Sequence, residues 1–576
     1  MSQPLTEPVA PIVHWTAART TRMRPWLISL FLLLALGFQG TRGIWDPDEG
    51  RYTNVALNML DSGDWVNPKR NDDVAHWTKP PVTYWAIAAS VGAFGRTPWA
   101  ARLPIALAYL SCIWLAWALA RRLAPGAEAY AAVAYATMLL PFGAGQLVTT
   151  DFIMTALQTA AVMGFVEARF GAPARSRWWL LLMWVAFALA FMTKGPPALL
   201  PLLAIVVFEL WVPQARRHPV LTFSGSLLFV LIALPWYLAV ILGHPGLLDY
   251  FLGSEVVARI ATNHFNRHGE WYGWIEIYLP TLLIGTMPWS FVLWRRLRNQ
   301  MPTIRQWRDR DIRREHAPQV LLMLWIALPL LVFCLARSRL PLYVLPLFVP
   351  IALLIAQQWH ADPRRAPSAG KLVVWSGLLL VVKCVAAYWP THKNAAEWAD
   401  AIRNRVPYTV DEVVFVEDMV RYGLNLHLNA EIEKIALDAT EFARFSPEYD
   451  ESLDAELAEA DAGTLFVAKQ DLWPKLKPRI ERIGAQVTVH GQPYQGRLFF
   501  SVAMPRPNGI QPHSIPSRIH EAVPPGVSLS SESPGRAIGE AGPPFALKSV
   551  VPDEASATNP SMSTRPATPM PVSGSK

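Results

Sequence analysis

The sequence predicts a polytopic α-helical membrane protein with a small outward-facing α/β domain, and three observations lead there. The chain has 576 residues, 52% of them hydrophobic and only 17% charged, with 25 Trp, which is more apolar material than one soluble core would bury. Apolar runs of about 17 to 25 residues, the length a hydrocarbon core requires, recur along residues 25–390. Arginines gather in alternate loops between those runs, as the positive-inside rule demands.

The runs fall at 25–41, 99–120, 127–143, 150–168, 177–193, 196–212, 219–243, 273–294, 318–336, 341–359 and 371–390, eleven in all. Arg19, Arg22 and Arg24 precede the first, but no small-residue cleavage site follows it, so it is read as a span rather than a signal peptide. With residues 1–24 cytoplasmic, the cytoplasmic loops collect Arg121, Arg122, Arg216, Arg217, a cluster from Arg295 to Arg314, Arg364 and Arg365. The 295–314 cluster is then a topogenic loop and not a nucleic-acid patch. The opposite loops, chiefly 42–98 and 244–272, face outward, and so does everything after residue 390.

Residues 391–504 have ordinary soluble composition. Runs at 412–416, 464–468 and 497–502 read as strands, and the stretches around Ala395 to Arg405 and Leu472 to Ile483 as helices. Residues 505–576 hold 14 Pro in 72 positions with many Ser, Ala and Gly, a composition expected to be a disordered tail. The three cysteines, Cys112, Cys334 and Cys384, all lie in predicted spans, so neither a disulfide framework nor a thiolate metal cage is expected.

The loop 42–98 carries the chemistry. It opens with Trp45-Asp46-Pro47-Asp48-Glu49-Gly50-Arg51-Tyr52 and returns to the interface at His76-Trp77-Thr78-Lys79-Pro80-Pro81. Between them, Val55, Met59 and Leu60 have the spacing of a short amphipathic helix lying along the bilayer surface. Acidic groups directly beyond a span, facing a Lys-Pro-Pro turn, suit a site that holds a sugar and an anionic lipid phosphate. For Asp48 and Asp151 the competing reading is a helix N-cap. For Lys194 and Arg339 it is a snorkelling anchor at a helix end.

The order of span, Asp-Glu-x-Arg-Tyr, Ser-Gly-Asp-Trp turn, Lys-Pro-Pro and Tyr-Trp resembles the first outward loop of the GT-C glycosyltransferases of the aminoarabinose transferase and protein mannosyltransferase type. Thr150-Asp151, Phe191-Met192-Thr193-Lys194-Gly195-Pro196, Asn263-His264-Phe265 and Ser338-Arg339-Leu340-Pro341-Leu342-Tyr343 extend the likeness in order over residues 40 to about 360. The resemblance implies a GT-C fold of 11 to 13 transmembrane helices in a bacterial inner membrane. It also implies inverting transfer of a sugar, 4-amino-4-deoxy-L-arabinose or a related one, from a polyprenyl-phosphate donor to a lipid A, glycolipid or protein acceptor on the periplasmic face. Asp48 becomes the expected acid/base or orienting carboxylate, with Glu49 an alternative and Asp151 a second site carboxylate. Lys79, Arg267 and Arg339 become candidate phosphate ligands, Lys194 a substrate contact, and Tyr52 and Tyr343 groove-lining residues. No cofactor is required. Some relatives bind zinc through a Glu directly before the Lys of the turn; here that residue is Thr78, so a zinc site at His264, four residues from His268, is weakly supported. Readings from other classes are a polytopic lipid or sugar flippase and a membrane scaffold; the collection of charges in outward loops and the absence of an internal repeat favour the enzyme.

Overall fold

The computed structural model describes residues 25–213, 219–258, 267–299, 306–438 and 443–504. The expected cytoplasmic N-terminus, the 505–576 tail and His264 lie outside the described residues. Helices occupy every predicted span. They are α1 (Pro25–Leu36), the interfacial α2 (Asp48–Ser62) and α3 (Val82–Phe94), α4 (Pro98–Leu123), α5 (Glu128–Thr137), α6 (Leu139–Ala144), α7 (Thr150–Phe170), α8 (Ser176–Lys194), α9 (Leu200–Trp211) and α10 (Phe223–Gly243). They continue with α11 (Gly273–Gly285), α12 (Ser290–Asn299), α13 (Ala317–Leu335), α14 (Phe348–Ala361) and α15 (Ala369–Tyr388).

By length and composition, six described helical stretches suffice to cross a membrane, or seven if α11 and α12, bent by 104°, form one span. This is fewer than the eleven to thirteen expected, for physical reasons visible in the chain. The first helix has 12 described residues and ends at Leu36, the run 127–143 is divided at Met138 into α5 and α6, and α7 carries Asp151, Glu167 and Arg169 along its length. Among these helices α7 packs along α8 and α4, and α14 is nearly wholly buried against α5, α13 and α12.

Local sequence sets the helix ends around the loop 42–98. Thr97 caps α4 by accepting from the Ala100 N–H, with Pro98 in the first turn. Asp48 and Glu49 stand in the first turn of α2, where the helix dipole favours negative charge, and α2 ends at Gly63 with φ of 71°, a left-handed stop that glycine adopts without strain.

The C-terminal domain is a mixed sheet flanked by helices. Its strands are β1 (Glu412–Val416), β2 (Glu431–Ala436), β3 (Glu451–Ser452), β4 (Thr464–Lys469), β5 (Gln486–Val489) and β6 (Arg497–Ala503), in the order β3-β2-β1-β4-β6-β5. The first four neighbours run parallel, and β6 and β5 are antiparallel. Alternating side chains bury both faces: Val413, Phe415, Leu465 and Val467 on one, Val414, Val416, Phe466 and Ala468 on the other.

This domain rests on the loop 42–98. The Ala395 N–H donates to the Ile44 carbonyl at 2.9 Å, the Asp46 N–H to the Lys393 carbonyl at 2.9 Å, and the Gly423 N–H to Asp46 Oδ1 at 3.0 Å. Asn425 donates to Asn54 and Asn58, Arg70 pairs with Asp450, and Asn71 donates to Glu433. A Cβ at Gly50 would lie 1.7 Å from Asp46 Oδ1 and 2.6 Å from the Gly423 nitrogen, so only glycine lets α2 approach the domain this closely.

Carboxylates crowd this seam. Glu412, Glu433 and Glu456 bring ligand-capable oxygens within 4.8 Å of one another. Burial, with mutual repulsion, raises Glu433 to about 9 and Glu456 to about 10, and burial raises Glu412 to about 7. Burial also lifts Asp46 to about 8 against the opposing Gly423 hydrogen bond. Groups raised in this way hold more protons folded than unfolded, so their contribution is complete below the ordinary carboxylate range and is lost as pH climbs through the raised values. The thermal midpoint of the purified protein in detergent should therefore fall between about pH 5 and about pH 9. The double substitution Glu433→Gln, Glu456→Gln should flatten that slope in a pH series of thermal melts, and an unchanged slope would show that the seam does not set it.

Candidate active site

Two adjacent carboxylates that the sequence could not tell apart have opposite environments. The helix opens at Asp48 itself, after Pro47, and Asp48 makes no capping bond. Its side chain is 70% exposed and meets Arg51 at 3.4 Å. Glu49, one helical step of about 100° away, turns inward and is 2% exposed. Arg42 reaches it at 2.6 and 3.0 Å and Arg102 at 3.0 Å through two nitrogens. The backbone N–H groups of Trp45 and Val148 add bonds at 2.9 and 3.1 Å. Burial pushes the Glu49 carboxyl up, but Arg102 and Arg42 more than offset it and hold the group well below the usual carboxylate range. All these partners make Glu49 a structural anion; the expectation that it might replace Asp48 or bind a cation gives way to a clamp.

That clamp fixes the segment leading to the second carboxylate. Arg42 also donates to the Gln146 carbonyl at 2.8 Å, so residues 146–148 are held beside the start of α2 just before α7 begins. Asp151 sits within the first turn of α7, past the extended Thr149, and is 7% exposed. It is no N-cap: its carboxylate forms an ion pair with Lys194 at the end of α8. Lys194 Nζ also lies 4.6 Å from the centre of the Tyr343 ring, and Arg267 Nη1 lies 3.5 Å from the Tyr343 hydroxyl. Four of the expected residues thus form one chain, Asp151–Lys194–Tyr343–Arg267. Tyr52 is half-buried beside the Tyr84 ring at 6.0 Å. Its phenol is pushed up by burial, and by the charges of Asp48 and Asp151 against that of Arg51.

The remaining basic residues divide. Lys79 lies 3.4 Å from Glu255, and the Tyr250 hydroxyl is 3.3 Å from the same carboxylate, which joins the Lys-Pro-Pro turn to the wide helical turn Phe251–Ala258. Arg339 is 3% exposed, and its guanidinium donates to the carbonyls of His268, Glu270 and Cys334. Those bonds tie the 267–273 segment to the end of α13, a strut in place of the expected phosphate ligand or surface anchor. The zinc reading finds no support among the described residues: Thr78 Oγ1 lies 2.7 Å from Nε2 of a buried His76, and His268, about half exposed, meets Glu276 at 3.8 Å.

Sequence reasoning passed over Arg42, Arg102 and Glu255. The signal for Arg102 was present, an arginine inside a predicted span, where a charge needs a partner. Removing one partner of a buried ion pair costs about 3–5 kcal/mol, whereas an exposed pair contributes about 0–1 kcal/mol. Glu49→Gln should accordingly lower the unfolding free energy by several kcal/mol while Asp48→Asn leaves it nearly unchanged, as read by thermal or denaturant unfolding in detergent. Equal stability of the two variants would contradict the division of roles.

Comparison with known proteins agrees with this architecture. Residues 78–261 match the family model described as dolichyl-phosphate-mannose-protein mannosyltransferase. An undecaprenyl phosphate-α-4-amino-4-deoxy-L-arabinose arabinosyl transferase of Aeromonas salmonicida is 34% identical over 345 residues, 58% of this chain and 60% of that protein. A protein of the same description from Pseudomonas aeruginosa is 32% identical over 387 residues, 65% of this chain and 67% of that protein. The match thus spans about three fifths of the length of most of the curated relatives. Among solved structures, ArnT from Cupriavidus metallidurans bound to undecaprenyl phosphate superposes with a TM-score of 0.68 at 20% identity, over 82% of this chain and 97% of that one, so the fold is shared. The chain belongs to the GT-C family of the undecaprenyl phosphate-aminoarabinose arabinosyl transferases.

Proposed function

We propose that the chain transfers 4-amino-4-deoxy-L-arabinose or a related sugar from a polyprenyl-phosphate donor to lipid A or another envelope acceptor, at the periplasmic face of a bacterial inner membrane. The observation that carries this reading is the division of the Asp48-Glu49 pair: one carboxylate is immobilised by two arginines so that its neighbour is presented, open, at the head of α2. Family membership supports the donor class, since relatives are described as acting on an undecaprenyl phosphate-linked sugar.

In this reading the acceptor oxygen attacks the anomeric carbon as the bond from that carbon to the donor phosphate breaks, inverting the centre. Asp48 orients the acceptor and takes up its proton where it carries one. The leaving polyprenyl phosphate gains negative charge, and Lys79 and Arg267 stabilise it. Lys79 would exchange its Glu255 contact for the phosphate, and Arg267 would reach the phosphate from beside Tyr343. The Asp151–Lys194 pair orders the floor of the site, with Tyr52 and Tyr343 as apolar walls carrying polar tips. No metal is needed for any step.

Three outcomes test the reading. In a transfer assay with an undecaprenyl phosphate-linked aminoarabinose donor, Asp48→Asn should lose about 10²-fold or more in turnover; near-normal turnover would remove Asp48 from the chemistry. Lys79→Ala and Arg267→Ala should each weaken binding of undecaprenyl phosphate by roughly ten- to a hundred-fold, the worth of a charged hydrogen bond, and unchanged affinity in both would remove the clamp. For topology, Asp73 and Glu459 are exposed on the outward loop and the α/β domain. With the three native cysteines replaced, Asp73→Cys and Glu459→Cys should react with a membrane-impermeant thiol reagent in intact spheroplasts, and reaction only after lysis would put the site on the other face.

A further inference from the structure

Beside the Arg42 and Arg102 of the Glu49 clamp, a cavity of about 210 Å³ opens between the chain leaving α1, the end of α6 and the last turns of α15. Its walls are largely apolar, with Phe38, Val382 and Ala386 among them, but its polar groups are unusual for such a place. Lys383 lies on the spanning helix α15, is 8% exposed, and donates only to the carbonyls of Leu34 and Ala35, at 3.3 and 3.2 Å. It has no carboxylate partner among the described residues. Arg42 stacks on Trp45 at 4.1 Å and uses its two terminal nitrogens on Glu49, Gly43 and Gln146, which leaves its Nε–H. Arg102 has all five donors engaged. Three cations therefore meet one touching carboxylate, and two positive charges are left over beside a low-dielectric wall. Two acceptors complete the set: Oε1 of Gln39, itself 2% exposed, and Oε1 of Gln146 are buried without a partner among the described residues.

We propose that this cavity binds the phosphate-bearing, hydroxylated headgroup of a membrane lipid, with the phosphate on Lys383 and Arg42 and headgroup hydroxyls donating to Gln39 and Gln146. An ionisable residue within a span is costly and calls for a partner, and the missing partner here is an anion, because the cations already outnumber the carboxylate. A phosphate supplies that charge through charge-assisted bonds. A phosphate alone leaves the two amide oxygens unsatisfied, and buried acceptors without donors are rare in native structures; hydroxyl groups are the donors that satisfy them. The cavity suits a headgroup and not acyl chains, which would stay in the bilayer against α15, where Val381, Val382 and Val385 are exposed, and α1, where Leu32 and Leu33 are. The site is separate from the donor-phosphate residues Lys79 and Arg267, and the inference stands whether or not sugar transfer is the reaction.

The test uses the purified full chain in a neutral detergent, with lipid binding read by native mass spectrometry. Phosphatidylglycerol, which carries both a phosphate and free hydroxyls, should bind saturably, and phosphatidylcholine at least ten-fold more weakly. Glycerol 1-phosphate supplies the same polar chemistry without chains and should bind more weakly than phosphatidylglycerol; equal affinity would overturn the lipid as the source of the headgroup. Lys383→Gln should weaken phosphatidylglycerol binding ten-fold or more while leaving undecaprenyl phosphate affinity intact. Because removing a buried lysine can disturb packing, Ala387→Phe, which fills the cavity and keeps the cation, should have the same effect. Unchanged phosphatidylglycerol binding in both variants, or its loss in Lys79→Ala instead, would overturn the site.

Discussion

The buried carboxylate of Glu49, held between Arg42 and Arg102, is the interaction on which the loop 42–98 and the helices around it depend. Its two oxygens receive bonds from two guanidinium groups and two backbone N–H groups that come from three separate stretches of chain, at 42–45, 102 and 148. Such a cluster is favourable only when every donor and acceptor is matched, since the desolvation of three charges is otherwise not recovered. Here the matching extends outward: Arg102 uses its spare donors on the carbonyls of Gln39, Arg42 and Gly43, so the turn after α1 is pinned to α4. The start of α2, the approach to α7 and the top of α4 consequently move as one body. A single electrostatic knot thereby sets where Asp48 is presented and where Asp151 begins its helix.

The α/β domain adds a second constraint to the same loop. Its contacts are backbone pairs at Ile44 and Asp46 and side-chain amides and ions meeting one another, with a small shared core of Ile44, Val55, Ala395 and Leu426. A seam of that composition is specific in register, because each bond requires its particular partner, but it carries little hydrophobic area. The crowded carboxylates beside Arg70 and Asn71, raised by burial, make it sensitive to proton activity. The loop 42–98 is thus clamped to the helical bundle by the Glu49 ion cluster and to the domain by hydrogen bonds and the Arg70–Asp450 ion pair.

Much of this was legible in the sequence. Apolar length located the helices, alternation located β1, β4 and β6, and the motif order located the loops that carry Asp48, Lys79 and Asp151. What was not legible has definite causes. Asp48 and Glu49 are equivalent in composition and differ only in which side of a helix they occupy, which depends on where the helix begins. Arg339 looked like a phosphate ligand because an arginine at a helix end is equally suited to bind phosphate or to tie a loop, and only the three carbonyls around it decide. The broken spans were hidden because Met138 and the 104° bend between α11 and α12 interrupt helices without interrupting hydrophobicity. Strands β2 and β5 were missed for the opposite reason, since Glu431, Glu433 and Lys434 in one and exposed positions in the other break the apolar pattern.

The division of basic residues follows from what each one faces. Arg339 and Arg102 are enclosed by carbonyls and a carboxylate that belong to the chain's own fold, so neither can turn to a ligand without leaving buried acceptors bare. Lys79 is different in kind. Its carboxylate contact, Glu255, sits on a wide helical turn in another loop, at a longer distance than any bond in the Glu49 clamp. An ammonium with a loosely held carboxylate can be transferred to a phosphate, which presents more charge and more acceptor oxygens, at small cost to the fold. In the proposed reaction this longer contact, and not the tight Glu49 clamp, is the one that a donor phosphate would displace.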